Sequence, residues 1–416
     1  MNIKFSTIKQ FYLFLAVFYY CGFLNFFSRL AAGGRGSDLM AENASGSLYK
    51  QIIGLILLLL GTYIISKNNH KVVIKYLRSC WPLLLLITYF AVSIYWSPEK
   101  NISIRRIIAF ITAILCCFCL VLSFTPKSLL RYIAYAGVTA ALLGLLLALI
   151  NPGMAFGGEG ERAFTFRGIF FDKNGGARFY AYSLIILYAL GFKLHLKWLL
   201  PSGVLGLCIL MANSVSAVIL TIIGISLVIL FNRLHSNSAN LNLRRIFLAL
   251  IIIGMSAVII NFAYNFILEL FGRDPNLTNR ALIWALLDEY IQEKPVLGFG
   301  FGAFWASSAV EGFVERWGFI GNAHSGYYET ILNGGFVGLS LLFILLFKTI
   351  SDLFKNYVYS SKDGLIALCL SIILIQIIAN YVGYVILNHN SPDMFLLSIV
   401  IFISSQYKLN TRKKID

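Results

Sequence analysis

The chain has 416 residues, of which 59% are hydrophobic and 12% charged, with a mean hydropathy of +0.79. A soluble domain usually carries about 25% charged residues, and no aqueous fold covers this much apolar surface, so the composition excludes a soluble globular protein. The formal charge of +16 raises nucleic acid as a partner, a reading that the placement of the charges removes.

In chain order, apolar runs long enough to cross a bilayer fall at 11–27, 48–66, 81–96, 107–124, 129–150, 175–192, 198–212, 214–231, 246–267, 326–347, 364–387 and 394–407. They predict an all-α integral membrane protein of about 12 transmembrane helices, one polytopic domain over 1–416. The first run, after Lys4 and Lys9 and before Ala31-Ala32-Gly33, also has the form of a secretory signal. So many later spans favour a retained helix. The run at 198–212 is short and holds Pro201. The seven cysteines lie in or beside apolar runs at no zinc or disulfide spacing and read as packing residues.

With the N-terminus inside, 20 of the 34 lysines and arginines and three of the 18 acidic residues fall on the inner side. The positive balance therefore follows from topology, the positive-inside bias. Nucleic acid is not needed as a partner.

Two outer segments, 151–174 and 268–323, exceed tight turns, and long connections are usually functional. In the larger loop, Thr278 to Glu293 reads as an amphipathic helix with Ile283, Leu286, Leu287 and Tyr290 on one side. It is expected to lie on the bilayer surface and present Arg280 near its start. Gly298, Gly300 and Ala303 match G-x-G-x-x-A, but no strand or βαβ unit surrounds them, so they read as tight-turn residues. Ser325 is placed to cap the span that opens at Gly326. The free N–H groups of that helix would attract an anion and keep His324 neutral, as a general base requires. A polar histidine at the membrane interface is the other reading of the same residue. His389 is the other histidine on that side.

The smaller loop and the start of the next span carry Arg162, Arg167, Lys173 and Arg178, with Asn174 among them. Four cations on the side that should be poor in them are either solvated loop charge or, with Arg280, a cationic site; Arg grips phosphate with a bidentate fork. Arg105 and Arg106 open a span on the outer side and read as snorkelling anchors. No D-x-D occurs, and Glu159-Gly-Glu161 is the one carboxylate pair at that spacing, so a metal-held diphosphate is unsupported and no metal or cofactor is expected. Arginines must then stabilise a departing diphosphate.

These residues resemble the O-antigen ligase and Wzy-type polymerase superfamily. The ligase signature is His, then Asn, Ser or Gln, nine residues, Gly, two residues and a small residue or Tyr. Here it reads His324-Ser325, nine residues, then Gly335-Phe-Val-Gly338. The companion Arg-x-x-x-Leu appears at Arg280 with Trp284 in the Leu position. The form Leu277-Thr-Asn-Arg280 to Trp284, then Pro295-Val-Leu-Gly298-Phe-Gly300 and Ala303-Phe-Trp305, is more similar to ExoQ-like exopolysaccharide polymerases. Arg167-Gly168 with Lys173-Asn174, and Trp96-Ser97-Pro98 before Arg105-Arg106, look familiar from the same proteins.

The resemblance implies a GT-C-like, metal-independent inverting glycosyltransferase of the bacterial inner membrane, with both termini cytoplasmic and its working face periplasmic. It implies an undecaprenyl-diphosphate-linked oligosaccharide as donor and a glycan or lipid A–core as acceptor. Membrane lipids, a chain-length regulator and a flippase are implied partners. Carried over, His324 matches the base, and Arg280 and Arg167 match the diphosphate-binding arginines. Lys173, Asn174, Arg162, Arg178, Ser325 and Tyr327 are candidate substrate contacts. Polymerase is the first expectation and ligase the second. A lipid-linked glycan transporter is the alternative from another class, but it should show charges within its spans and often a repeat, and the sequence shows neither.

Overall fold

The computed structural model describes residues 4–31, 47–157, 164–191, 196–235, 238, 240–245, 280–317, 321–359 and 363–415. Arg162, Thr278 and the run at 246–267 lie outside them.

The expected span at 11–27 is two helices. α1 (Phe5–Tyr20) ends at Cys21-Gly22, where Gly22 has φ +93°, and the chain restarts as α2 (Phe23–Ala31). After α3 (Leu48–Ser66), a stretch expected as inner loop is helical: α4 (His70–Ser79), opened by Asn69, whose side chain accepts from the Lys71 N–H at 2.9 Å. It is bent by 78° from the run that contains α5 (Trp81–Val92). α6 (Lys100–Ser123) starts before the apolar run at 107–124, so Arg105 and Arg106 lie in its second turn. α7 (Pro126–Ile150) begins with a Thr125 cap and Pro126, whose missing N–H costs nothing at that position.

The smaller outer loop closes on a two-stranded antiparallel pair, β1 (Phe156–Gly157) and β2 (Thr165–Phe166), with Phe156 opposite Phe166. Then come α8 (Lys173–Gly191), α9 (Leu196–Met211), α10 (Val215–Leu234), α11 (Arg280–Glu293), α12 (Glu311–Trp317), α13 (Gly326–Tyr359), α14 (Gly364–Tyr381) and α15 (Pro392–Ile415). The expected span at 364–387 stops at Tyr381.

Among the described residues six helices are long and apolar enough to cross a membrane, or seven if the bent pair counts as one span. Two shorter apolar helices, Lys197–Met211 and Pro392–Tyr407, accompany them. The chain is a multi-pass, all-α membrane protein. The expected twelve spans are not all found among the described residues.

α14 is central, with 72% of its apolar window buried, whereas α3 has 17% and lies at the edge. Exposed Phe14, Leu59, Ile222 and Phe347 belong to outward faces, as expected where lipid is the solvent. α8 packs on α7, α9 and α10, and α13 packs on α5, α14 and α15.

A second, smaller core lies apart from the bundle core. Leu287, Phe299, Phe304, Trp305, Val310, Phe313, Ala323 and Leu332 form it. The described residues between 280 and 323 therefore have their own apolar interior. α11 contributes Trp284 and Leu287 as its buried face, with Ile283, Leu286 and Tyr290 packed alongside. It docks on α13 and on this core.

α13 is broken at Gly335, which has φ +60° and ψ −164°. The opened backbone is bonded by the segment after α11. Phe336 N–H donates to the Pro295 carbonyl at 2.8 Å, Val337 N–H to Val296 at 3.3 Å, and Phe299 N–H to Leu332 at 2.7 Å. A Cβ at Gly335 would strike the Val296 carbonyl, and one at Gly298 (φ +65°) would lie 2.6 Å from the Gly335 nitrogen. Two glycines facing each other let the two backbones touch. The part beyond the break, 336–359, is still long enough to cross the bilayer. The turns before it, 326–334, are a separate half-helix under the outer loop.

Candidate functional site

His324 stands just before that half-helix, half-buried, with φ +51°. Holding a residue with a Cβ in this region costs about 1–3 kcal/mol and persists only where the surroundings enforce it. Ala323, its neighbour, is gripped at both backbone polar atoms. Its N–H donates to Glu329 Oε2 at 2.9 Å, and its carbonyl accepts from the Trp284 indole at 3.0 Å. The His324 N–H donates to Asn322 Oδ1 at 2.9 Å. Glu329 is 3% exposed and also accepts from Trp305 Nε1 at 3.1 Å. Its carboxylate lies in the first turn of the half-helix, where the helix dipole favours negative charge.

Trp284 makes the link to α11. It stacks on Tyr328 at 5.3 Å and meets Tyr381 edge-on at 5.4 Å. Arg280 precedes it by four residues, so both project from the same face of α11. The residue that departs from the ligase pattern thus ties the Arg280 helix to the His324 segment.

Arg167 belongs to a second group at the same end of the bundle. Its N–H donates to the Ala155 carbonyl at 2.9 Å, and its Nε donates to the Met154 carbonyl at 3.2 Å. Burial pulls its guanidinium below the usual arginine range. Between the two groups sit Arg106, Tyr384 and His389. Arg106 Nη1 donates to the Gly302 carbonyl and interacts electrostatically with Glu329 and Tyr384. It therefore projects into the site, which corrects the reading of Arg106 as a snorkelling anchor. His389 packs 6.4 Å from Phe301, ring to ring. Burial, then the charges of Arg106 and Lys50, push its imidazole down to about 3, so it is neutral at physiological pH.

Other expected contacts are engaged elsewhere. Arg178 forms a bidentate pair with Asp393, both bonds 3.1 Å, with side chains 12% and 3% exposed. Its fork joins α8 to α15. Asn174 Oδ1 accepts from the Ser214 hydroxyl at 3.0 Å, and Tyr327 donates to the Ile377 carbonyl at 2.9 Å. Lys173 opens α8 beside Asp172, whose carboxylate accepts from the Asn174 and Gly175 N–H groups. Ser325 does not cap the half-helix. Its hydroxyl is buried with no partner among the described residues, and the Gly326 N–H goes to the Gly383 carbonyl at 2.9 Å.

Sequence reasoning passed over Arg29, Lys50 and Glu329. Arg29 and Lys50 flank the first outer connection, where a cation is unexpected, and that was the available signal. Nothing local marks Glu329, because its role comes from where α13 breaks.

A family model described as O-antigen ligase matches residues 201–343, a stretch that holds Arg280, His324 and Gly335 and begins well after Arg167. The chain is also similar to the exopolysaccharide production protein ExoQ of Rhizobium meliloti (strain 1021). The two are 26% identical over 319 residues, which is 71% of this chain and 70% of that protein. Both matches support the O-antigen ligase and ExoQ-like superfamily that the motifs at Arg280 and His324 resemble.

Proposed function

We propose that this chain is a membrane glycosyltransferase of bacterial surface-polysaccharide assembly, polymerising undecaprenyl-diphosphate-linked repeat units at the periplasmic face of the inner membrane. The observation that carries the reading is the enforced placement of His324, with both polar atoms of Ala323 tied down, at the bundle end where Arg106 and Arg167 also gather. His324 takes the proton of an acceptor sugar hydroxyl. The freed oxygen attacks the anomeric carbon from the face opposite the diphosphate, with inversion. The anomeric C–O bond breaks, its electron pair leaves on the lipid diphosphate, and Arg280 and Arg167 hold the charge that develops there. No metal is required, since guanidinium forks match phosphate geometry and stay charged.

The similarity to an exopolysaccharide production protein supports polysaccharide assembly, and the motif form from Arg280 to Trp305 favours a polymerase within it. The O-antigen ligase model supports a second reading, transfer of the glycan to a lipid A–core acceptor. Glycan analysis of a strain lacking the chain separates them. Under the polymerase reading single repeat units are still passed onward while long chains are missing. Long polymer accumulating on undecaprenyl diphosphate, with none on the final acceptor, would make the chain a ligase.

A further inference from the structure

α4 is helical where the sequence reads as a connection between spans, and its ten residues form distinct faces. Tyr76 is buried, and Val73 and Leu77 pack against the bundle core beside it. Tyr76 meets Phe118 at 6.2 Å, and at the end of the helix the Cys80 thiol lies 3.0 Å from the Ser405 hydroxyl of α15. Lys71, Lys75 and Arg78, four and three residues apart, share the opposite face, and all three are exposed. Val72 and Ile74, 44% and 49% exposed, border this stripe, one along each edge. α4 lies away from the outer loop: the far end of the next helix, α5, is the one that reaches Gly334 through Tyr89, and Ser93 just beyond it accepts from the Phe301 N–H.

α3, the edge helix, brings the chain to this place. Tyr63, in its last turn, meets Phe5 edge-on at 6.4 Å; Lys67 Nζ lies 5.5 Å from the Tyr63 ring centre and Lys9 Nζ 4.8 Å from that of Phe5. Both rings are exposed. Exposed rings with ammonium groups reaching past them mark the level of the membrane–water boundary. α4 opens three residues after Lys67 and is bent by 78° from the run that follows, so it travels along that boundary and not through the bilayer. From Ser47 to Pro98 the chain has no Asp or Glu, and the end of α15, which packs on α4, adds Lys408, Arg412, Lys413 and Lys414 against Asp416. Neither ion pair found among the described residues, Arg178 with Asp393 and Lys348 with Asp352, draws on the stripe. Water alone would solvate the cations but give Val72 and Ile74 nothing to contact. A negatively charged membrane surface serves both, with phosphates for the stripe and the acyl boundary for its apolar edges.

We propose that α4 is a membrane-surface helix whose Lys71, Lys75 and Arg78 bind the headgroups of anionic phospholipids, the class of phosphatidylglycerol, at the end of the bundle away from His324. The partner is the bulk leaflet and not a substrate lipid, so the inference stands apart from the polysaccharide reading.

The test places the full-length protein in nanodiscs of phosphatidylcholine alone, or of phosphatidylcholine with phosphatidylglycerol, and reads backbone hydrogen exchange by mass spectrometry. Phosphatidylglycerol should slow exchange across 70–79 by at least about five-fold, the effect of one cation at an anionic surface. Exchange in 336–359 serves as the reference and should not change. Added salt should reverse the gain, since it screens exposed charge. A protein carrying Lys71→Gln, Lys75→Gln and Arg78→Gln together should exchange alike in both nanodiscs. Equal exchange of the parent in the two lipids, or a triple variant that keeps the parent's gain, would overturn the proposal. The comparison of lipids on the parent alone decides the matter if the variant fails to fold. A DNA duplex added to the detergent-solubilised protein is the control for another polyanion. It should leave 70–79 unprotected, and protection equal to that given by phosphatidylglycerol would overturn the lipid assignment.

Discussion

His324 adopts a backbone conformation that its own side chain disfavours, and the residues that impose it are Glu329, Trp284 and Asn322. If His324 is the base, His324→Ala should insert normally and make no extended glycan, and His324→Gln should do little better. Glu329 acts through Ala323, as a positioning residue. Glu329→Ala removes the acceptor of two buried donors, so it should lower turnover by about ten- to a hundred-fold and cost about 2–3 kcal/mol of stability. Glu329→Gln still offers an oxygen to both and should restore most of kcat. Equal damage from both variants, or normal turnover in Glu329→Ala, would remove that role; the rates come from transfer assays in vesicles and the stability from thermal unfolding.

His389 makes a prediction about pH. Its folded value of about 3 lies below the ordinary 6.5, so between those values the unfolded chain binds the proton that the folded chain refuses. Stability from this group is complete above about pH 6.5 and declines as pH falls toward 3, by at most about 1.4 kcal/mol per pH unit and less with solvent screening. His389→Asn should flatten the decline in Tm between pH 6.5 and 4, and an unchanged slope would show that other groups set it.

At the scale of elements, the break in α13 couples the half-helix beneath His324 to the loop 295–299. Tyr89 reinforces the junction by donating to the Gly334 carbonyl at 2.6 Å, and Trp96 donates to the Leu297 carbonyl at 3.2 Å. Gly335→Ala would force a Cβ into the Val296 carbonyl at a positive φ. We expect it to cost several kcal/mol, on the order of a severe backbone substitution, and to abolish activity together with folding of the outer loop. Protease sensitivity within 295–305 should rise while the spans stay inserted. A Gly335→Ala protein with normal activity would mean that the half-helix is not needed for catalysis. This junction also explains the nine-residue spacing of the motif: it is the length of half-helix between His324 and the point where the loop docks.

For the whole molecule, most lysines and arginines fall away from the candidate site, but Arg106 and Arg167 lie at the bundle end that holds His324, the local charge that handling anionic lipid heads at the membrane surface calls for. If arginines alone carry the diphosphate charge, activity of the purified protein should survive EDTA, and Arg280→Lys or Arg167→Lys should be severely impaired despite the retained charge. Loss with EDTA that magnesium restores would overturn that division of labour.

The all-α membrane class was legible in residue order alone, because lipid demands long apolar runs. The motif residues Arg280, His324 and Gly335 were legible too, since their spacing lies within one stretch of chain. Where the helices break was not. Gly22 and Gly335 sit in apolar runs that read as continuous, and each break is stabilised by a distant segment, Phe170 at one and Val296 at the other. Only the tertiary structure showed that Arg178 is consumed by Asp393, that Arg106 turns inward, and that Glu329 holds the histidine segment. Those facts depend on contacts between residues far apart in sequence, and a side chain's burial and partners are properties of the packed bundle, which no local pattern encodes.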